Sequence, residues 1–282
     1  MASQPSVLPI LDHIVILVSY QTLEELPKLL EESLTVIEGG SHADGRTLNQ
    51  LIIFPDGVYV ELIAFQEDLD PERRKEHRWG SLAEGGIIDW AYTLTDADDF
   101  TAIQRRVAEA NAETGVTYQD PIPGGRLRPD GVELKWAVSS AQDASLKSLW
   151  PGTAPFWCLD RTPRHLRVPY RDEATGGAPA YTTHPSGATG VSRVSVSVPE
   201  EEFSLADKIY EGVHGPPVES GPAKKVWPWA VHAGSSEGRQ QVTLSAAAAG
   251  QERRITITLV GKPDSPSSIQ VLPGLTFDFD IE

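Results

Sequence analysis

The chain has 282 residues, of which 40% are apolar and 23% charged, a composition that excludes a disordered chain and provides core for roughly two globular domains. The formal net charge of −16 disfavours contact with phosphate backbones, so we expect no nucleic-acid partner. No apolar run approaches the roughly 18 residues of a membrane helix, the N-terminal residues show no secretory pattern, and the single cysteine rules out an internal disulfide, so we expect a cytoplasmic protein without a membrane partner.

Three units with a similar order of elements follow one another along the chain. The first unit is predicted to contain a strand, a helix and two strands, at residues 11–18, 27–34, 50–54 and 58–65. Pro27 suits the first turn of the helix. A Pro-Asp-Gly turn at residues 55–57 joins the two later strands. In the last strand, the period of two places Glu61 on the face of Tyr59 and opposite Val60.

The second and third units repeat this order. The second is predicted as a strand, a helix and two strands, at residues 87–94, 99–113, 133–139 and 155–159. The third is predicted as a strand, a helix and four strands, at residues 191–198, 201–211, 226–232, 241–246, 254–260 and 275–281. The second helix places Phe100, Ile103 and Val107 on one face and ends at Gly115, and the third helix is expected to stop at Gly212. Predicted loops occupy residues 39–45, 120–129, 162–187 and 261–273.

Several segments of the first two units resemble a known family. LDHIVILV at residues 11–18 and GGSHADGRTLNQLIIFPDGVYVELIAF at residues 39–65 carry the resemblance, together with the shorter motifs WAYTL, RPDG and PFWCLDRTPR. They resemble the glyoxalase-like domain of the vicinal oxygen chelate superfamily over about residues 10–165. The resemblance implies βαβββ modules, two of which form a half-open cup around a small-molecule site.

The repeat and the resemblance together predict an α+β fold of repeated βαβββ modules. We place the glyoxalase-like cup at residues 8–165, with modules at 10–66 and 86–160, a linker at 166–187, and a third α+β module at 188–282. An odd number of modules leaves one half-cup unpaired, either as an intramolecular lid or as the surface of a homodimer.

The resemblance also implies a divalent metal (Zn, Ni, Mn or Fe) that chelates two neighbouring oxygens of a substrate. His13 matches the family's first ligand and Glu61 its second. The open alternative is structural: Glu61 hydrogen-bonds to His13 or to a nearby arginine, because a carboxylate among apolar neighbours needs a partner. Trp90 stands where the second module would supply a ligand, so the sequence predicts either weak metal binding with help from His42 or none. No motif for a nucleotide cofactor is present.

Further site residues are predicted around these two. Glu61 and His42 are the candidate catalytic residues. Thr47 and Asn49 match polar positions of the family motif and are expected to bind substrate. The other candidate substrate-binding residues are a cation that can anchor an anion and two aromatic side chains: Arg128, Trp136 and Trp90. Arg126, in the same GGRLRPDG segment, is the less favoured alternative for the cation.

Three functions are compatible with these residues. The first is a glyoxalase-like enzyme, metal-dependent, that performs a lyase, isomerase or oxygenase step on a small oxygenated metabolite. The second is a metal-free enzyme of the same fold that uses acid/base catalysis. The third is a non-enzymatic protein that binds a toxin or antibiotic. A close titratable pair in a pocket favours an enzyme, and a large apolar cup without such a pair favours a binding protein.

Overall fold

The computed structural model describes residues 8–128, 131–172, 174–233 and 240–281; the Pro129-Asp130 part of the predicted RPDG turn lies outside them. The strands of the N-terminal part are β1 (Ile10–Leu17), β2 (Ile37–Ser41), β3 (Thr47–Ile53), β4 (Tyr59–Phe65), β5 (Gly86–Thr93), β6 (Thr117–Tyr118), β7 (Ile122–Leu127), β8 (Glu133–Ser139), β9 (Ala141–Gln142) and β10 (Phe156–Asp160). Those of the C-terminal part are β11 (Gly190–Val198), β12 (Glu219–Ser220), β13 (Lys224–Pro228), β14 (Gln241–Ala246), β15 (Arg254–Gly261), β16 (Ser268–Leu272) and β17 (Leu275–Ile281). The helices are α1 (Tyr20–Leu29), α2 (Pro71–Lys75), α3 (Phe100–Ala110), α4 (Arg164–Arg167) and α5 (Glu200–His214), with 3-10 turns at Ala97–Asp99 and Ala180–Thr182.

The first sheet contains the two predicted N-terminal modules side by side. Its strand order is β2-β3-β4-β1-β5-β10-β8-β7. Each module starts at the centre of the sheet, with β1 or β5, and the two central strands pair antiparallel. Within each module the last strand returns parallel to the first, β4 beside β1 and β10 beside β5. This arrangement confirms the α+β fold of repeated modules.

The second sheet contains the predicted third module and one feature that the sequence did not indicate. Its strand order is β12-β13-β14-β11-β15-β17-β16. The β11, α5, β13 and β14 elements form the third module, and β15, β16 and β17 extend the sheet on the other side of β11. No helix separates β15 from β16 in this described segment. The expectation of an unpaired half-cup was therefore wrong, because a helix-free group of strands completes the sheet.

The helix boundaries differ from those predicted, and α3 ends at Ala110 rather than near Gly115. Helix α1 begins at Tyr20, since the Ser19 hydroxyl caps it by accepting a hydrogen bond from the Thr22 N–H, so Pro27 lies inside the helix. Helix α5 passes through Gly212 and ends at His214, and the following Gly215 has a φ of 82° that suits a helix terminus. A Cβ at residue 212 would lie 2.7 Å from the Cα of Val107 on α3. Gly212 thus permits a close crossing of two helices.

The main core joins both sheets and the helices between them. On β4, Val60 and Leu62 point into this core, whereas Glu61 and Ile63 point to the opposite face, as the period of two predicts. The predicted linker is also packed against the first sheet: the Thr35 N–H donates to Nδ1 of His184, whose Nε2 lies 3.1 Å from the Ile53 carbonyl. None of the helices in the described residues is long and apolar enough to cross a membrane.

Candidate functional site

A cavity of about 490 Å³ lies on the face of the first sheet that points away from the main core. Its wall is largely aromatic and aliphatic and includes Trp79, Trp136 and Phe156. A group of polar side chains from β1, β3, β4 and the turn after β2 occupies another part of the wall: His13, His42, Thr47, Asn49 and Glu61. A mostly apolar cavity with a few convergent polar groups is the usual form of a small-molecule site.

A β-bulge directs His13 into the cavity. In the pairing of β1 with β5, Leu11 faces Tyr92 and His13 faces the adjacent Ala91, so Asp12 is an extra residue without a partner across the strands. Nδ1–H of His13 donates to Oδ2 of Asp12 at 2.8 Å. This hydrogen bond fixes the proton of a neutral imidazole on Nδ1 and leaves Nε2 available to the cavity.

Two arginines hold Asp12 in its charged form. Arg167 donates from Nη2 and Nη1 to the two oxygens of Asp12, each at 3.1 Å, and Arg164 also donates to Oδ1. Burial alone would raise the pKa of the Asp12 carboxyl, but the two guanidinium groups and His13 hold that pKa well below its usual range. Arg167 also donates to the phenol oxygen of Tyr59, whose ring stacks on His13 with centroids 4.7 Å apart.

Glu61 lies between two imidazoles. Nδ2 of Asn49 donates to Oε1 of Glu61 at 2.5 Å. Nε2 of His42 lies 3.6 Å from that same oxygen, and Nε2 of His13 lies 3.8 Å from Oε2. The Thr47 hydroxyl is 2.7 Å from Nδ1 of His42 and fixes the orientation of this ring. Glu61 is only 5% exposed, so the carboxylate depends on these neighbours rather than on water.

The structure thus brings together six of the eight candidate site residues. His13, His42, Thr47, Asn49, Glu61 and Trp136 all line the cavity. Trp90 does not: it lies in the main core on the opposite face of the sheet, 6.2 Å from the ring of Tyr210. Arg128 lies outside the lining and donates to the carbonyl of Leu166 at 3.2 Å. Arg126 lines the cavity, whereas the sequence analysis expected Arg128 to do so.

Sequence reasoning missed several residues that shape the site. Asp12 and Arg167 orient His13 and Tyr59, and Arg78 and Trp79 contribute to the lining. Asp12 carried a usable signal, because an acidic residue beside a histidine in an apolar strand needs a buried partner. Cys158 also lines the cavity, but burial raises the pKa of its thiol well above the usual range, so it remains protonated and is a poor nucleophile.

The donor set does not fit the metal site that the family resemblance implies. Among the described residues, no three His, Cys, Asp or Glu side chains are grouped so that they can hold a metal ion. His13, His42 and Glu61 come nearest to such a group. The second module adds the non-ligating Ala91 and Phe156 to this face of the sheet. We therefore assign no step to a metal.

The amino-acid sequence matches a known protein family. This family, described as "Glyoxalase-like domain", matches residues 11–210. No curated protein sequence matches the chain.

Among solved structures, a hypothetical protein from Staphylococcus aureus is similar over 97% of this chain and 100% of its own, with 15% identity and a TM-score of 0.66. A 4-hydroxymandelate synthase variant from Streptomyces coelicolor is similar over 90% of this chain and 72% of its own, with 14% identity and a TM-score of 0.47. The first of these likenesses shows a shared fold, and the second is too distant to bear on the site.

Proposed function

The chain belongs to the glyoxalase-like domain family, and on this premise we propose that it is an enzyme that transfers a proton within a small oxygenated organic molecule. One observation carries the proposal. A buried carboxylate, Glu61, lies within 4 Å of two imidazoles, and each of the three groups is oriented by its own partner: Asn49, Asp12 or Thr47. A protein that only binds an apolar ligand has no need for such a set.

Glu61 has the geometry of a general base. Asn49 holds Oε1 by a hydrogen bond, which leaves Oε2 as the oxygen that takes a proton from the substrate. A carbon next to a carbonyl is the natural source of that proton, because removing it yields an enolate whose oxygen can be stabilised by nearby donors.

The two histidines have complementary roles in the proposal. The Thr47 hydroxyl donates to Nδ1 of His42 in the tautomer that we assign, so Nε2–H of His42 can donate to the developing enolate oxygen. Nε2 of His13 lies 3.8 Å from Oε2 of Glu61 and can accept the proton from it or return it. Asp12 stabilises the imidazolium that this transfer creates. Together the groups can move a proton between two atoms of one substrate, as a lyase or isomerase step requires.

Exchange of carbon-bound hydrogen tests this proposal without knowledge of the natural substrate. A panel of small 2-oxo acids, hydroxyketones and aldehydes is incubated in D₂O with the protein, and deuterium incorporation is followed by NMR. We expect exchange of at least one compound by the wild-type protein and a loss of about 100-fold or more in Glu61→Gln.

Glu133→Gln is the matched control, because Glu133 is an exposed carboxylate on β8 outside the cavity. It should exchange at the wild-type rate. No exchange of any compound by the wild-type protein, or an equal rate in Glu61→Gln, would contradict the proposal.

A further inference from the structure

Three arginines line the cavity, and two of them already have counter-ions. Arg167 pairs with Asp12 and Asp160. Arg78 donates from Nε to Oδ2 of the fully buried Asp89 at 2.9 Å, and its Nη2 lies 2.8 Å from the same oxygen in an ion pair. These pairs account for two of the three positive charges in the wall.

Arg126 differs from the other two. Its guanidinium donates from Nη1 to the carbonyl of Gly39 at 3.0 Å, and it forms no ion pair with a carboxylate among the described residues. This contact joins β7 to β2, which are the two edge strands of the first sheet. Burial lowers the pKa of the Arg126 guanidinium, while Tyr59 and Glu61 act in the opposite direction, which places the cation within electrostatic reach of the candidate base. A half-buried cation without a counter-ion is unfavourable.

Arg78 offers a second polar group without a partner. Its Nη1 is buried and has no hydrogen-bond partner among the described residues. The guanidinium carbon lies 5.8 Å from the ring centroid of Phe156, so this donor adjoins the aromatic part of the wall. A buried donor that a protein leaves unsatisfied is commonly satisfied by water or by a ligand.

We propose that the substrate is a small organic acid, a monoanion with an apolar or aromatic body, whose carboxylate pairs with Arg126. Arg78 Nη1 then donates to a further oxygen of the same molecule, and the body lies against Trp79, Trp136 and Phe156. This inference rests on the proposed function and names the substrate class for the same site. A carboxylate matches Arg126 as the one arginine among the described lining residues without a carboxylate ion pair, whereas a phosphate ester carries up to two charges. The cavity, at about 490 Å³, has room for such an acid.

Binding of two probes of equal shape tests the inference without any turnover. Phenylacetate and phenylacetamide differ in charge but hardly in size. Quenching of tryptophan fluorescence reports binding, because Trp79 and Trp136 line the cavity. We expect phenylacetate to bind at least about tenfold more tightly than the amide, since a charge-assisted hydrogen bond exceeds a neutral one by this much. Phenyl phosphate should bind no better than phenylacetate.

Variants identify the cation responsible. In Arg126→Gln the preference for the acid should disappear, and in Arg126→Lys part of it should return because the charge is kept. Lys135→Gln is the matched control: it also removes one positive charge, but Lys135 is exposed on the neighbouring strand and pairs with Glu133. Its preference for the acid should equal that of the wild-type protein.

Three results would overturn the inference: equal affinity for acid and amide in the wild-type protein, an undiminished preference in Arg126→Gln, or no saturable binding of phenylacetate up to about 20 mM, well above the millimolar Kd that one such pair can support. The outcome is separable from that of the proposed function. If Glu61→Gln loses hydrogen exchange while Arg126→Gln keeps its preference for the acid, only the inference that Arg126 binds the carboxylate is contradicted. If the preference for the acid depends on Arg126 but the wild-type protein exchanges no hydrogen, only the proposed enzymatic function is contradicted.

Discussion

Asp12 Oδ2 lies 2.8 Å from Nδ1 of His13, the next residue in the same strand. Adjacent residues of a regular strand point to opposite faces, so this contact exists because of the bulge between Leu11 and His13. The bulge lets one short segment supply both an imidazole for the cavity and the carboxylate that orients it.

Replacing Asp12 by Asn should destabilise the fold strongly. The substitution removes one of the two carboxylates that Arg164 and Arg167 share, and leaves these two arginines, both at most 10% exposed, with Asp160 alone. We expect the free energy of unfolding to fall by about 3 to 5 kcal/mol, as measured by urea denaturation at pH 7. Asp68→Asn, at an exposed turn, is the control and should change stability by less than about 0.5 kcal/mol. A similar small change in Asp12→Asn would show that the cluster is not energetically coupled.

An Asn49→Asp substitution should make stability depend on pH in a new way. It places a second carboxyl at the position that now donates to Glu61, and two adjacent carboxylates raise the pKa of the pair. An acid whose folded-state pKa is raised loses stability as pH rises from its unfolded pKa, about 4, through the folded value. We expect the free energy of unfolding, relative to that of the wild-type protein, to fall by about 1.4 kcal/mol for each unit by which the pKa is raised. Urea titrations from pH 4 to 8 measure this change. Asn49→Ala, which adds no charge, should lose less stability over this range than Asn49→Asp; equal profiles for the two variants would refute the prediction.

Adding one methyl group at Gly39 should disturb both the site and the pairing of β2 with β3. A Cβ at residue 39 would lie 2.0 Å from Oδ1 of Asn49 and 2.7 Å from its backbone carbonyl oxygen, so the side chain that contacts Glu61 and the strand that carries it must shift. We expect Gly39→Ala to lower the rate of hydrogen exchange by about tenfold or more, because displacement of a positioning group carries such a cost. Gly86→Ala is the control, since a Cβ there meets nothing within 4 Å. Equal rates for the two variants would count against a role for Asn49.

His184 should weaken the fold in mild acid. Burial lowers the pKa of this imidazole to about 4, and its two nitrogens contact Thr35 and Ile53. Below pH 6.5 the unfolded chain takes up a proton that the folded chain does not, so stability falls as pH decreases from 6.5 to about 4. This residue contributes up to about 1.4 kcal/mol per pH unit.

His184→Gln can preserve both hydrogen bonds without titrating. As pH falls from 7 to 4.5, the unfolding free energy of the wild-type protein should therefore decrease relative to that of the variant. A constant difference over this range would show that His184 is not the group that titrates.

The strand faces could be predicted from the sequence, because the period of two needs no knowledge of tertiary structure. It gave the correct face for Glu61 and the core face for Val60. The placement of Trp90 failed for another reason: it rested on aligning Asp89-Trp90 of the second module with Asp12-His13 of the first. The bulge shifts the register by one residue, so that Ala91 and not Trp90 lies opposite His13. A bulge of this kind leaves no mark in the composition of the strand.

Gly-rich strands and helix-packing glycines were the main source of errors in the fold. Strands β2 and β7 fell wholly or partly within predicted loops, since Gly39, Gly40, Gly124 and Gly125 have the composition of turns. A Cβ at residue 124 would lie 2.8 Å from Nε1 of Trp136, so this glycine serves close packing rather than a turn. The partner that demands a glycine is distant in sequence, which is why a local pattern cannot distinguish the two uses.

The close crossing of α3 and α5 at Gly212 bears on how the chain can be divided. The family match ends at residue 210, within α5, and thus before the glycine that seats this helix on Val107. A fragment cut there would also remove β14 and β15, the two strands that flank β11, and would expose both edges of a strand with an alternating apolar face. The end of the family match therefore does not coincide with the end of a structural unit in this protein.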